Sequence, residues 1–199
     1  MHLWKPRLAL AALLPLLAGS APSSPPGDGR RCGDPGVRAE VLLREDFEGE
    51  NDQRYALNYT DFERWEVVEG TVDLVGTPPF DDFLPRSQGM YVDLDGSAKA
   101  AGTLRTRARL ELGPGRYRLE FKMSGTPRPN QPPNTVIVSL GGLFRERITL
   151  ESYAPLQTYV RTIRVSRRTR ARLSFAHLGG DDYGNFIDDI RLERLCPSE

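Results

Sequence analysis

Three adjacent acid pairs, Asp81-Asp82, Asp181-Asp182 and Asp188-Asp189, are the first residues of this chain that could do chemistry. Glycoside hydrolysis needs two carboxyls held about 5 to 9 Å apart across a sugar. Sequence neighbours on a strand point to opposite faces, so no adjacent pair fills that role by itself. Two acids from separate loops could converge, but nothing in the sequence picks out such a pair. Other catalytic chemistry has little to work with. Beyond the N-terminal leader His177 is the sole histidine, and it falls in phase with Leu173 and Phe175, which reads as a core or rim position. One histidine excludes a His-rich zinc site. No Gly-x-Ser-x-Gly elbow accompanies it. Gly141-Gly142 and Gly179-Gly180 are turn glycines without the Lys-Ser/Thr of a nucleotide loop. The expectation is a protein that is not an enzyme.

Binding chemistry has more material. Flat rings carry pyranose faces while polar neighbours bond the hydroxyls. Trp65 opens an alternating strand with Val67 two positions on, so it belongs to the core. The candidate ligand platforms are the loop aromatics Phe80, Phe83, Tyr153 and Tyr183. Asp82 stands beside Phe83, and Asp181, Asp182 and Asn185 flank Tyr183. The competing role for these rings is to seal the edges of the fold.

These residues must be positioned by a chain that leaves the cell. Lys5 and Arg7, the apolar run Leu8 to Leu17 and the small residues Ala18 to Ala21 read as a secretory signal over residues 1–21. The run is too short to span a bilayer, and no second one follows, so no membrane insertion is expected. Residues 22–31 are rich in Pro, Ser and Gly and read as a flexible linker; the folded domain is expected over residues 32–199. The chain carries 27 basic and 27 acidic residues, and the signal removes two basic ones, leaving 25 against 27. That balance argues against nucleic acid as a partner. The arginines interleave with Glu and Asp at outward strand positions and read as a solvated face. The two cysteines, Cys32 and Cys196, bracket the domain. Export favours oxidation, and the spacing suits neither a metal cluster nor a redox pair, so a Cys32–Cys196 disulfide is expected, with unpaired terminal thiols as the alternative.

Period-two alternation runs through the domain. Leu104, Thr106, Ala108, Leu110 and Leu112 alternate with Arg105, Arg107, Arg109 and Glu111, and after Gly113-Pro114-Gly115 the pattern resumes with Tyr117, Leu119, Phe121 and Met123. This predicts an antiparallel hairpin with one wet face. Strands are expected at 41–48, 65–75, 90–95, 103–112, 116–124, 135–140, 144–150, 157–166, 170–177 and 185–195. About ten short antiparallel strands and no helical period indicate an all-β sandwich. Long loops at 49–64, 76–89 and 125–134, with 179–185, are where a ligand is expected.

Several segments together resemble a known family: Asp46-Phe47-Glu48, Trp65 to Leu74, Gly89 to Gly96, Leu112 to Tyr117, Leu178 to Asp182 and Ile187 to Leu192. The series is similar to the galactose-binding-like jelly rolls, akin to carbohydrate-binding modules, found in secreted bacterial and plant cell-wall proteins. The resemblance implies a jelly-roll β-sandwich and a secreted binding module for carbohydrate or a cell-envelope glycan. It also implies a structural Ca2+ between the first and last strands, at positions matched here by Glu48 and Asp188. Asp188 shares a face with Phe186, Ile190 and Leu192, and an inward carboxylate must be paired, hydrogen-bonded or metal-bound. Calcium takes six to eight oxygens, which the two carboxylates, backbone carbonyls and Asp46 would supply in part; the alternative is that Asp188 caps backbone amides or pairs with an arginine. The other function class is a structural or adhesion module that docks on another envelope protein.

Overall fold

Alternation of apolar and charged side chains shapes this chain, and the clearest case is the segment Gly115–Ser124. Tyr117, Leu119, Phe121 and Met123 are buried there, while the charged residues between them are more exposed. The structure, a computed structural model, describes residues 39–80, 84 and 89–196. These belong to one compact unit, Cys32–Glu199. The expected signal peptide, the linker, Cys32, Asp82 and Phe83 lie outside the described residues.

The strands, in chain order, are β1 (Glu40–Glu45), β2 (Trp65–Glu69), β3 (Asp73–Val75), β4 (Tyr91–Asp93), β5 (Asp95–Gly96), β6 (Ala100–Ala101), β7 (Thr103–Thr106) and β8 (Leu110–Leu112). They continue as β9 (Gly115–Ser124), β10 (Asn134–Leu140), β11 (Phe144–Leu150), β12 (Gln157–Val165), β13 (Thr169–Ala171), β14 (Leu173–His177) and β15 (Phe186–Leu195). A six-stranded antiparallel sheet runs β12-β9-β15-β4-β3, with β1 also paired to β15. A five-stranded antiparallel sheet runs β11-β10-β14-β7-β2. The pairs β8–β13 and β5–β6 form small ribbons. The two large sheets stack face to face as a jelly-roll β-sandwich, the expected all-β class.

Rings join the two inner faces. Phe121 of β9 meets Phe175 of β14 edge-on at 5.3 Å, and Phe175 lies 6.0 Å from Trp65 of β2. Each such pair contributes about 0.5–1.5 kcal/mol beyond its area burial. Trp65 is fully buried, as expected, and its indole N–H donates to Glu45 Oε2 at 3.1 Å.

Four expectations about strands are corrected. The runs either side of Gly113-Pro114-Gly115 do not form a hairpin. β7 lies in the five-stranded sheet, β8 pairs with β13, and β9 pairs with β12 and β15 in the other sheet. The turn therefore hands the chain from one layer to the other. Ala108, expected inside, is exposed, because the strand breaks at 107–109 where Arg107 N–H donates to Arg64 O. The single strand expected over 65–75 is two strands in different sheets. Gly70, at φ 58°, makes the crossover, and a Cβ there would stand 2.0 Å from Ala101 O. The segment 170–177 likewise divides into β13 and β14.

β15 holds the six-stranded sheet together. Phe186 and Ile187 pair with β4, and residues 190–194 pair with β1 along the same edge. β9 covers the opposite edge, with a bulge between Asp188 and Arg191 and a left-handed Asp189 at φ 47°.

Candidate functional site

All four loops expected to carry function meet around one cavity of about 330 Å³. Leu57 comes from the first loop, Phe80 from the second, Thr126 to Arg128 from the third, and Asp182 and Tyr183 from the fourth. The strands supply Asp73 and Val75 of β3, Asp93 of β4 and Phe186 of β15, and Ser97 follows β5.

The apolar wall is a small cluster of its own. Val75, Tyr91 and Phe186 are buried, and Phe80 and Leu84 pack on them. Phe80 is held in a tight turn: its N–H donates to Thr77 O at 2.8 Å and its carbonyl accepts from Gly76 N–H at 3.0 Å. Tyr55 backs its ring edge-on at 5.1 Å.

The polar wall is built on two aspartates that oppose each other across the β3–β4 ladder. Asp73 acts as a strut. Its Oδ1 accepts the Asn58 N–H at 2.7 Å, and its two oxygens accept the Ser97 N–H at 3.2 and 3.0 Å. The Ser97 hydroxyl donates to Oδ2 as well. One carboxylate thus ties the first loop to the β5–β6 ribbon. Asp93 Oδ1 accepts the Asp95 N–H at 3.0 Å. Burial, and then the charges of Asp73 and Asp95, hold the Asp93 carboxyl well above the usual range.

The fourth loop is pinned from below by Asp95. This residue is buried, and its Oδ2 accepts the N–H of Gly180 at 2.7 Å and of Asp181 at 3.0 Å. His177 Nδ1 stands 3.7 Å from the same oxygen. Burial pushes the His177 pKa down, against the pull of Asp95 and Asp181, so the imidazole belongs to the core as expected. Gly184 is required by space: a Cβ there would fall 2.0 Å from Asp93 Oδ1. The loop then presents Asp182, at φ 67°, and Tyr183 to the cavity. The Asn134 amide donates to the Tyr183 carbonyl and fixes its height.

Of the candidate ligand residues, Phe80, Asp182 and Tyr183 line the cavity. Asp181 stands behind it, its Oδ1 accepting the Tyr183 N–H at 3.2 Å. Asn185 is fully buried and braces the floor, donating to Ser124 O at 3.2 Å. Tyr153 is exposed beside the third loop, its N–H on Thr126 O. Asp73, Asp93, Ser97 and Arg128 were not singled out by the sequence, since acids at strand positions read as solvated charges. The repeated Val-Asp-Leu of Val72–Leu74 and Val92–Leu94 was the available signal.

Glu48 and Asp188 lie in electrostatic reach of each other, away from the cavity lining. Glu48 Oε1 accepts the Met90 N–H at 2.8 Å, and Asp188 Oδ1 accepts the Asp189 N–H at 2.6 Å. Burial first, then the charges of Asp189 and Glu48, raise the Asp188 pKa to about 8. The pair suits a cation by charge, but not by number. Among the described residues no third acidic, His or Cys side chain joins them, so side chains alone fall short of a calcium shell.

No family model matches the chain, and no curated protein matches it. Solved structures follow a similar course. The module TmCBM61, in complex with β-1,4-galactotriose, is 19% identical with a TM-score of 0.47, over 78% of this chain and 99% of that one. The K3 cleaved adhesin domain of Lys-gingipain from Porphyromonas gingivalis gives the same values. A family 35 carbohydrate-binding module from Clostridium thermocellum is 14% identical with a TM-score of 0.42, over 76% of this chain and 98% of that one. Among the described residues no helix is long and apolar enough to cross a membrane.

Proposed function

We propose that this protein is a secreted, non-catalytic module that binds glycan in the cavity between its loops. The observation that carries the reading is the composition of that cavity. Two rings, Phe80 and Tyr183, share its wall with Asp73, Asp93, Asp182, Ser97 and Arg128. Rings offer stacking surface to a pyranose, and the carboxylates accept from its hydroxyls. Asp73 already receives hydrogen bonds from Asn58 and Ser97, so it acts as a fixed acceptor and does not form a free acid–base couple with Asp93. A cell-envelope polysaccharide is the partner class. Export through residues 1–21, a linker over residues 22–31 and a Cys32–Cys196 disulfide belong to the same reading. No step is assigned to calcium.

The test is binding of the mature protein to a glycan array and to insoluble polysaccharides, followed by titration of the best binder. Phe80→Ala and Tyr183→Ala should each weaken binding about ten-fold, the scale of one lost ring contact. Affinity that survives both substitutions overturns the site. Absence of any glycan binding by the folded protein overturns the function and favours docking on another envelope protein.

A further inference from the structure

The outer face of the five-stranded sheet carries a row of residues in register across all its strands: Arg145, Ser139, Ser174, Arg105 and Glu66. The small serines lie in the middle of the row, with long charged side chains on either side. Arg105, Ser139 and Ser174 of this row, with Gly141, Arg109 and Arg172, enclose a groove of about 380 Å³, and Arg145 and Glu66 stand at the two ends of the row. Glu66 holds two of the arginines in place. It accepts from Arg105 at 3.0 and 2.8 Å and from Arg172 at 3.0 Å. The Arg105 guanidinium in turn holds the Glu66 carboxyl below its usual range. Arg172 Nε is buried without a hydrogen-bond partner. Among the described residues neither the Arg109 nor the Arg145 side chain has a hydrogen-bond or ion-pair partner. Three guanidinium groups therefore line the groove and a fourth, Arg145, ends its row, against the single carboxylate of Glu66, in a protein whose basic and acidic residues balance overall.

We propose that this groove is a second binding site, for an extended acidic polysaccharide whose carboxylate or sulfate groups are taken by Arg105, Arg109, Arg145 and Arg172. A guanidinium matches either oxyanion bidentately. Arg145 and Arg105 stand three strand spacings apart, roughly 14 Å. A single small ion reaches one end of such a row, whereas a polymer with repeated charges reaches both. The adjoining row of Arg147, Ile137, Ala176, Thr103 and Glu69 adds no ring. The face thus lacks the stacking platform that single-stranded nucleic acid uses. The site is separate from the loop cavity and stands or falls without it.

The experiment is titration of the mature protein with polygalacturonate, dextran sulfate, neutral dextran and single-stranded DNA, at low and high salt. Binding to polygalacturonate or dextran sulfate is expected, weakened by salt, with none to neutral dextran. The better of the two names the oxyanion. The double variant Arg109→Ser with Arg145→Ser should bind about ten-fold more weakly, as for two exposed ion pairs lost, and should keep the wild-type melting temperature. Ser139→Asp, which puts a carboxylate in the middle of the groove, should abolish binding, and Tyr183→Ala should leave it intact. Unaltered affinity in the double variant, absence of salt-dependent binding to either acidic polymer, or tighter binding to the DNA each overturns the proposal.

Discussion

Replacing Asp188 by asparagine keeps the shape of the side chain and its acceptor for the Asp189 N–H, and removes only the ability to ionise. In the metal-free protein Asp188 is buried and its pKa is raised from 3.8 to about 8. The folded state therefore holds a proton that the unfolded chain releases above about pH 4. The group's contribution is fully present below pH 4, falls as the pH rises, and is lost once the pH passes about 8. The difference between the two pKa values corresponds to about 6 kcal/mol over that window. Asp188→Asn should thus gain about 6 kcal/mol relative to wild type between about pH 4 and pH 8, whatever its offset at pH 4. Trp65 is the single tryptophan among the described residues and is fully buried, so its fluorescence reports unfolding. Urea titrations in EDTA at several pH values supply the numbers. A difference between the two proteins that stays constant within about 1 kcal/mol across the window refutes the burial argument.

Gly70→Ala should cost about 3 kcal/mol or more, because the left-handed crossover leaves a Cβ 2.0 Å from Ala101 O. A loss under about 1 kcal/mol would mean the crossover can shift. Added calcium should leave the melting temperature unchanged at pH 7, since Glu48 and Asp188 find no third ligand side chain. A rise of several degrees would mean that main-chain oxygens complete a site. The unreduced protein should take up no alkylating reagent at Cys32 or Cys196, and reduction should lower stability by about 4 kcal/mol in the chain-entropy model. Labelling without reductant removes that bond from the account.

The faces of individual strands were legible because alternation is a local property. Tyr117 to Met123 point inward as their spacing says. What alternation cannot register is a change of layer. Trp65 to Val75 keeps its pattern through Gly70, yet its two halves serve opposite sheets, and the Gly-Pro-Gly turn that suits a hairpin suits a crossover equally well. The cavity's loops were marked by their Gly, Pro and Asp content, and Phe80, Asp182 and Tyr183 followed from them. Asp73 and Asp93 were hidden because a strand acid looks like surface until its cross-strand neighbour is known. The arginine groove was hidden for the same reason. Each arginine is ordinary in sequence; strand register sets Arg105 and Arg145 on either side of two serines, and Arg109 and Arg172 join the groove from the breaks beside β8 and β13.

The strand at the heart of the six-stranded sheet, β15, is also the last of the described strands in chain order. Until residue 195 has emerged, β9 has no neighbour on one side, and β1 and β4 have none on the edge that β15 fills. The nascent domain therefore cannot close stepwise from its N-terminus. It must remain open until β15 has been made, and closes through contacts between distant parts of the sequence, which makes for slow folding. Deleting β15 would leave β12–β9 and β3–β4 as two separate ribbons and β1 without a partner, with exposed edges that are templates for aggregation.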